Sequence, residues 1–140
     1  MTEPDQQSLY DTAGGLPFFE RLVDTFYAGV AHDEVLAPLY PEAPDFSGAR
    51  HRLTLFLAQY WGGPTTYDSE RGHPKLRMRH IPFTIGPSER DRWLQHMSAA
   101  IDSSGASDGV RMTLLAYFVP AAEQLRNDTG LPISAATYRR

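Results

Sequence analysis

Between residues 17 and 30 the apolar side chains Phe19, Leu22, Val23, Phe26, Tyr27 and Val30 return at intervals of three and four. That rhythm puts them on one face of an α-helix, so the chain has to provide a second apolar surface for the stripe to pack against. Pro17 suits the first helical position, where its missing N–H has no partner to lose. The rhythm recurs from Ser47, with Ala49, Leu53, Phe56, Leu57, Tyr60 and Trp61 on one face before Gly62-Gly63-Pro64 ends the run. It recurs again after Gly86-Pro87-Ser88 in Trp93, Leu94, Met97, Ala100 and Ile101, with Ser88 and Asp91 as a partial capping box. Val110 (or Arg111), Leu114, Leu115, Phe118, Val119, Ala122 and Leu125 define a last long helix. Pro120 lies inside it and predicts a kink or a split, since a mid-helix proline costs about 3 kcal/mol.

Shorter pieces join these four. Ser8 caps a short helix that Gly14-Gly15 ends, and Asp33 caps one further turn, Glu34 to Ala37. Prolines at 38, 41 and 44 make a stiff connector in which Tyr40, preceding a proline, must be extended. Thr65 to His73 reads as a polar loop. The only alternating run, Ile81 to Ile85, contains a proline, so no strand is expected and the fold class is all-α. The expected organisation is a loose N-terminus over 1–7, one domain over 8–128 and an unpacked tail over 129–140.

Composition removes several functions. The 140 residues include no cysteine, which excludes disulfides, thiolate nucleophiles, iron–sulfur clusters and thiolate-ligated haem. A net charge of −4 argues against nucleic-acid binding, because phosphate backbones reward a basic surface. No apolar run approaches membrane-spanning length and residues 1–7 show no signal pattern, so a soluble, cytoplasmic protein without a membrane partner is expected. Gly-rich phosphate loops, a Gly-x-Ser-x-Gly elbow and a His-Glu-x-x-His signature are all missing.

The chemistry concentrates in Arg71-Gly-His-Pro-Lys-Leu-Arg-Met-Arg-His-Ile-Pro-Phe83. Leu76 and His80 stand four apart and share a helical face, while Lys75, Arg77 and Arg79 point elsewhere. Pro74 and Pro82 cut this basic segment short on both sides. An inward imidazole so held is either a hydrogen-bonded core residue or a ligand for a transition metal or haem iron, and the cationic fringe suits the anionic groups of such a cofactor. Tyr27 is carried inward on its helix, either as a core phenol bonded to a carbonyl or as a pocket donor. Tyr40 reaches into a pocket or covers the surface. His51 lies opposite Ala49 and Leu53 and reads as solvated.

From Leu9 to about Asn127 the chain resembles the truncated haemoglobins of the second group. The resemblance rests on Leu-Tyr-Asp-Thr-Ala-Gly-Gly at 9–15, Phe-Tyr-Ala-Gly-Val at 26–30, Asp-Glu-Val-Leu at 33–36 and Tyr-Pro-Glu at 40–42. It continues through Phe-Leu-Ala-Gln-Tyr-Trp-Gly-Gly-Pro-Thr-Thr-Tyr at 56–67, the whole 71–83 segment and Glu-Arg-Asp-Arg-Trp-Leu at 89–94. It implies a truncated globin fold, a two-over-two helical sandwich around haem b (iron protoporphyrin IX), with His80 as proximal iron ligand. Tyr27, Tyr40 and Trp93 then match the distal polar positions, Ala49 stands where many globins place a distal His, and Leu53 lies beside it. Phe56, Leu57, Leu76, Met78, Phe83 and Met97 complete the implied pocket, with Arg52, Arg79, Tyr67 and Lys75 toward the propionates. Arg50-His51 in place of an acidic pair, Pro120 and the tail depart from the family pattern.

The function so implied is binding of dioxygen, carbon monoxide or other diatomic gases at a five-coordinate iron, for oxygen storage, scavenging or sensing. The alternative is an enzyme on the same pocket, oxidising nitric oxide or reducing peroxide with electrons from an external reductase. A helical interaction module without cofactor is the third reading, distinguished by the lack of a Soret band after mixing with hemin. The sequence leaves open whether the chain is a monomer or a homodimer.

Overall fold

The computed structural model describes residues 8–72 and 85–126. Among them every regular element is helical: α1 (Leu9–Ala13), α2 (Gly15–Val30), a 3-10 turn (Ala37–Leu39), α3 (Ser47–Tyr60), α4 (Thr66–Arg71), α5 (Pro87–Asp102) and α6 (Asp108–Gln124). Helices α2 and α3 pack as one pair and α5 and α6 as another, and α2 also packs on α5. The stripe on α2 is the centre of this arrangement. Phe19, Leu22, Val23, Phe26 and Val30 are fully buried, and Met97, Ala100 and Ile101 of α5 and Val110, Leu114 and Phe118 of α6 close over them. Close approach of α2 to α5 depends on Gly29, where a Cβ would stand 2.6 Å from Nδ1 of His96.

Several local expectations hold for the reasons given. The Ser8 side chain accepts from the Asp11 N–H at 3.1 Å, and Gly14, at φ 123°, turns the chain between α1 and α2. Asp33 Oδ1 accepts from the N–H groups of Val35 (2.9 Å) and Leu36 (3.1 Å). Tyr40 is extended, at φ −92° and ψ 117°.

Others are corrected. Helix α2 starts at Gly15, so Pro17 is its third residue rather than its first; the N–H groups of the first turn lack intrahelical partners, so the proline still removes nothing. The segment expected as a polar loop forms α4, too short and too polar to show a period. It is held by one buried ring, Tyr67 against Phe56 at 5.5 Å, and by the Asp68 N–H donating to Gln59 Oε1 at 3.0 Å. The start of α5 is capped by Glu89, whose Oε1 accepts from the Gly86 N–H at 2.9 Å, and not by Ser88 with Asp91. Helix α6 runs unbroken through Pro120. Pro120 and Ala116, whose carbonyl loses its helical donor, are both exposed, so water can replace the missing partner. Tyr60 and Val119, expected on buried stripes, are 52% and 51% exposed. Thr54 and Ala58 are buried on α3, which turns Tyr60 outward, where its ring meets Tyr117 at 4.4 Å.

Candidate functional site

A cavity of about 570 Å³ lies between the two helical pairs. Tyr27 reaches it from α2, Leu36, Leu39 and Tyr40 from the connector, and Ala49, Arg52, Leu53, Phe56 and Leu57 from α3. Tyr67 comes from α4, Arg90 and Trp93 from α5, and Tyr117 and Phe118 from α6. Thus Tyr27, Tyr40, Trp93, Ala49, Leu53, Phe56, Leu57, Arg52 and Tyr67, scattered over 67 positions of sequence, are brought to one space. Met97 is fully buried in the core and is not among the lining residues. His80, Lys75, Leu76, Met78, Arg79 and Phe83 fall outside the described residues.

Three polar aromatic side chains meet at one end. The rings of Tyr27 and Tyr40 stand edge to face at 5.6 Å, with Phe46 packed on both at 5.8 and 5.5 Å, and Phe26 holds Trp93 at 4.9 Å. The Tyr27 hydroxyl donates to the Tyr40 oxygen, which also accepts from the Trp93 indole N–H. Burial pushes the Tyr27 phenol well above its ordinary range, aided by the adjacent Tyr40; burial raises Tyr40 as well, against the two hydrogen bonds it accepts. Both phenols therefore keep their protons at neutral pH. Indole has a single N–H and each phenol a single O–H. Tyr40 thus stands at the centre of the set, between the Tyr27 phenol and the Trp93 indole N–H.

The lining also carries charge. Arg52 Nη2 meets Glu42 Oε1 at 3.3 Å, and Arg90 pairs with Asp91 and Glu123. Sequence reasoning passed over Leu36, Leu39, Arg90, Tyr117 and Phe118. Phe118 lay in the α6 stripe and Leu36 in the Asp-Glu-Val-Leu run, but nothing in helical spacing says which core residues border a void.

A flat, mostly apolar cofactor with anionic edges fits these residues: aromatic and aliphatic walls face its body, arginines stand at the rim, and hydrogen-bond donors occupy one end. Two helical pairs enclosing such a pocket define a globin. The model of the family described as bacterial-like globin matches residues 8–127. The chain belongs to that family, in its truncated two-on-two group II branch, whose cofactor is haem b. It is 38% identical over 115 residues to the group 2 truncated hemoglobin YjbI of Bacillus subtilis, covering 82% of this chain and 86% of that protein. Among solved structures it resembles the thermostable hemoglobin of the actinobacterium Thermobifida fusca, at 51% identity and a TM-score of 0.84, covering 86% of this chain and 98% of that one. It is also similar to the group II truncated hemoglobin of Bacillus anthracis, at 36% identity and a TM-score of 0.82, covering 86% and 97%. No helix among the described residues is long and apolar enough to cross a membrane.

Proposed function

We propose that this chain binds dioxygen and related diatomic gases reversibly and holds them tightly. The observation that carries this reading is the hydrogen-bonded set Tyr27, Tyr40 and Trp93 at the end of an apolar cavity, with both phenols kept protonated. Haem, when bound, supplies a coordination position on its iron for the gas. The residues do the rest. A ligand with negative charge on its outer atom meets the Tyr40 O–H in a site of low dielectric, where a hydrogen bond is worth more than in water. Leu53, Phe56 and Leu57 exclude water from the ligand space, and Ala49 leaves room beside it.

His80 is the iron ligand in this reading. Of the five histidines, His51 is exposed and paired with Glu70 at 2.9 Å, His96 is paired with Asp33 at 2.8 Å, and His32 is exposed; none of these lines the cavity. The motif around His80, with Leu76 on its face and a cationic fringe, supports its choice over His73.

The test is reconstitution with hemin, reduction, and addition of dioxygen and carbon monoxide while the Soret band is followed. Tyr40→Phe is expected to release dioxygen roughly ten- to a hundredfold faster, with smaller effects in Tyr27→Phe and Trp93→Phe, which act through Tyr40. Equal release rates in all three would overturn the donor role. Sustained nitric oxide turnover with a reductase would replace storage by catalysis, and haem uptake unchanged in His80→Ala would remove the ligand assignment.

A further inference from the structure

A second polar cluster lies behind the first, away from the cavity. Asp33 is buried between α2, the connector and α5, and its carboxylate takes four hydrogen bonds. Two come from its own loop, the N–H groups of Val35 and Leu36. Two come from α5: Arg92 Nη1 donates to Oδ1 at 3.0 Å, and His96 Nε2 donates to Oδ2 at 2.8 Å. None of the three side chains borders the cavity.

What joins there is informative. The Asp33 N–H donates to the Val30 carbonyl at 2.9 Å, extending the end of the helix that carries Tyr27. The Asp33 carbonyl accepts from the Ala37 N–H at 2.9 Å, and the Ala37 carbonyl from the Tyr40 N–H at 3.1 Å, so the backbone bonds lead directly to Tyr40. Arg92 is the neighbour of Trp93, and His96 follows it by nearly one helical turn. A single carboxylate thus ties together the three segments that present the three distal aromatic groups.

Resting on the reading of the triad as gas-ligand donors, we infer that Asp33, through Arg92 and His96, is a positioning residue that fixes the Tyr40 hydroxyl against Tyr27 and Trp93 and so sets ligand release without touching the ligand. An acceptor displaced by a few tenths of an ångström weakens a hydrogen bond steeply, and the connector on which Tyr40 rides is a loop whose place depends on its ties to the helices.

The experiment uses the full chain reconstituted with hemin and compares dioxygen release, the infrared C–O stretch of the carbon monoxide complex and the melting midpoint. His96→Leu removes one tie, and Arg92→Leu is the second variant should the first not fold. His96→Gln returns an N–H near the place of Nε2. Expected for His96→Leu are a shifted or split C–O band and dioxygen release roughly three- to tenfold faster, both restored by His96→Gln. In a Tyr40→Phe background His96→Leu is expected to add nothing to the rate. A His96→Leu protein that melts earlier but keeps the original band and release rate would overturn the inference. If instead Tyr40→Phe itself leaves the rate unchanged, the donor reading of the triad fails, and this inference with it.

Discussion

The two polar clusters flanking α5 answer burial in opposite ways. Around the cavity, burial prevails: the phenols of Tyr27 and Tyr40 are raised and stay neutral, each a donor with a fixed proton. Behind it, burial also raises the Asp33 carboxyl, but hydrogen bonds from His96, from the Val35 and Leu36 backbone and from Arg92 together outweigh it and hold the group far below the usual carboxylate range. Burial keeps the protons on the two phenols, and four hydrogen bonds to the ionised form keep one off Asp33. The cavity-facing cluster keeps its donors, and the Asp33 cluster keeps a fixed anion.

That contrast can be broken most forcefully at Asp33. Asp33→Ala should cost about 3–5 kcal/mol in urea unfolding, because it strips a buried acceptor from a guanidinium, an imidazole N–H and two backbone donors; a loss below about 1 kcal/mol would mean that the cluster is incidental. Titrating stability with pH comes next. The Asp33 contribution is fully present above the unfolded carboxyl value of about 3.9 and is lost as pH falls below it, so Asp33→Asn should flatten the acid limb below about pH 4. The phenols act at the other extreme. Their raised values favour the folded state below about pH 10, and that advantage disappears as pH climbs, so Tyr27→Phe should flatten the alkaline limb and leave the acid one alone. Tyr117, pushed up to about 12 by burial and by Tyr60, should ionise late in an ultraviolet titration. Met112→Gln sets the floor: at 70% exposure it should shift stability by no more than about 0.5 kcal/mol in either direction.

How far the sequence foretold this depends on where each residue's place is decided. Phe19 through Val30 could be read because helical spacing and burial agree over a full stripe. The triad could be placed only through resemblance, since Tyr27, Tyr40 and Trp93 meet through loop closure that no local period records. Helix α4 was missed because one buried ring, Tyr67, and one bond to Gln59 hold it with no apolar period, and the α5 cap because Gly86 offers only a backbone N–H to Glu89. The Asp33 cluster is the clearest case of hidden information. Its capping role was local and visible, whereas its bonds to Arg92 and His96 span 59 and 63 positions. Apolar stripes announce themselves by repetition, and a single buried charge does not.

The notch at Gly29 seats the His96 imidazole against one central helix with no room for a Cβ. A methyl group at that point would act as a wedge, driving against an imidazole that Asp33 already grips from its far side. The opening would spread to Tyr27, two residues back along one rod, and to Trp93, three back along the other. The cavity's tightness is in this sense set at a place that does not border it.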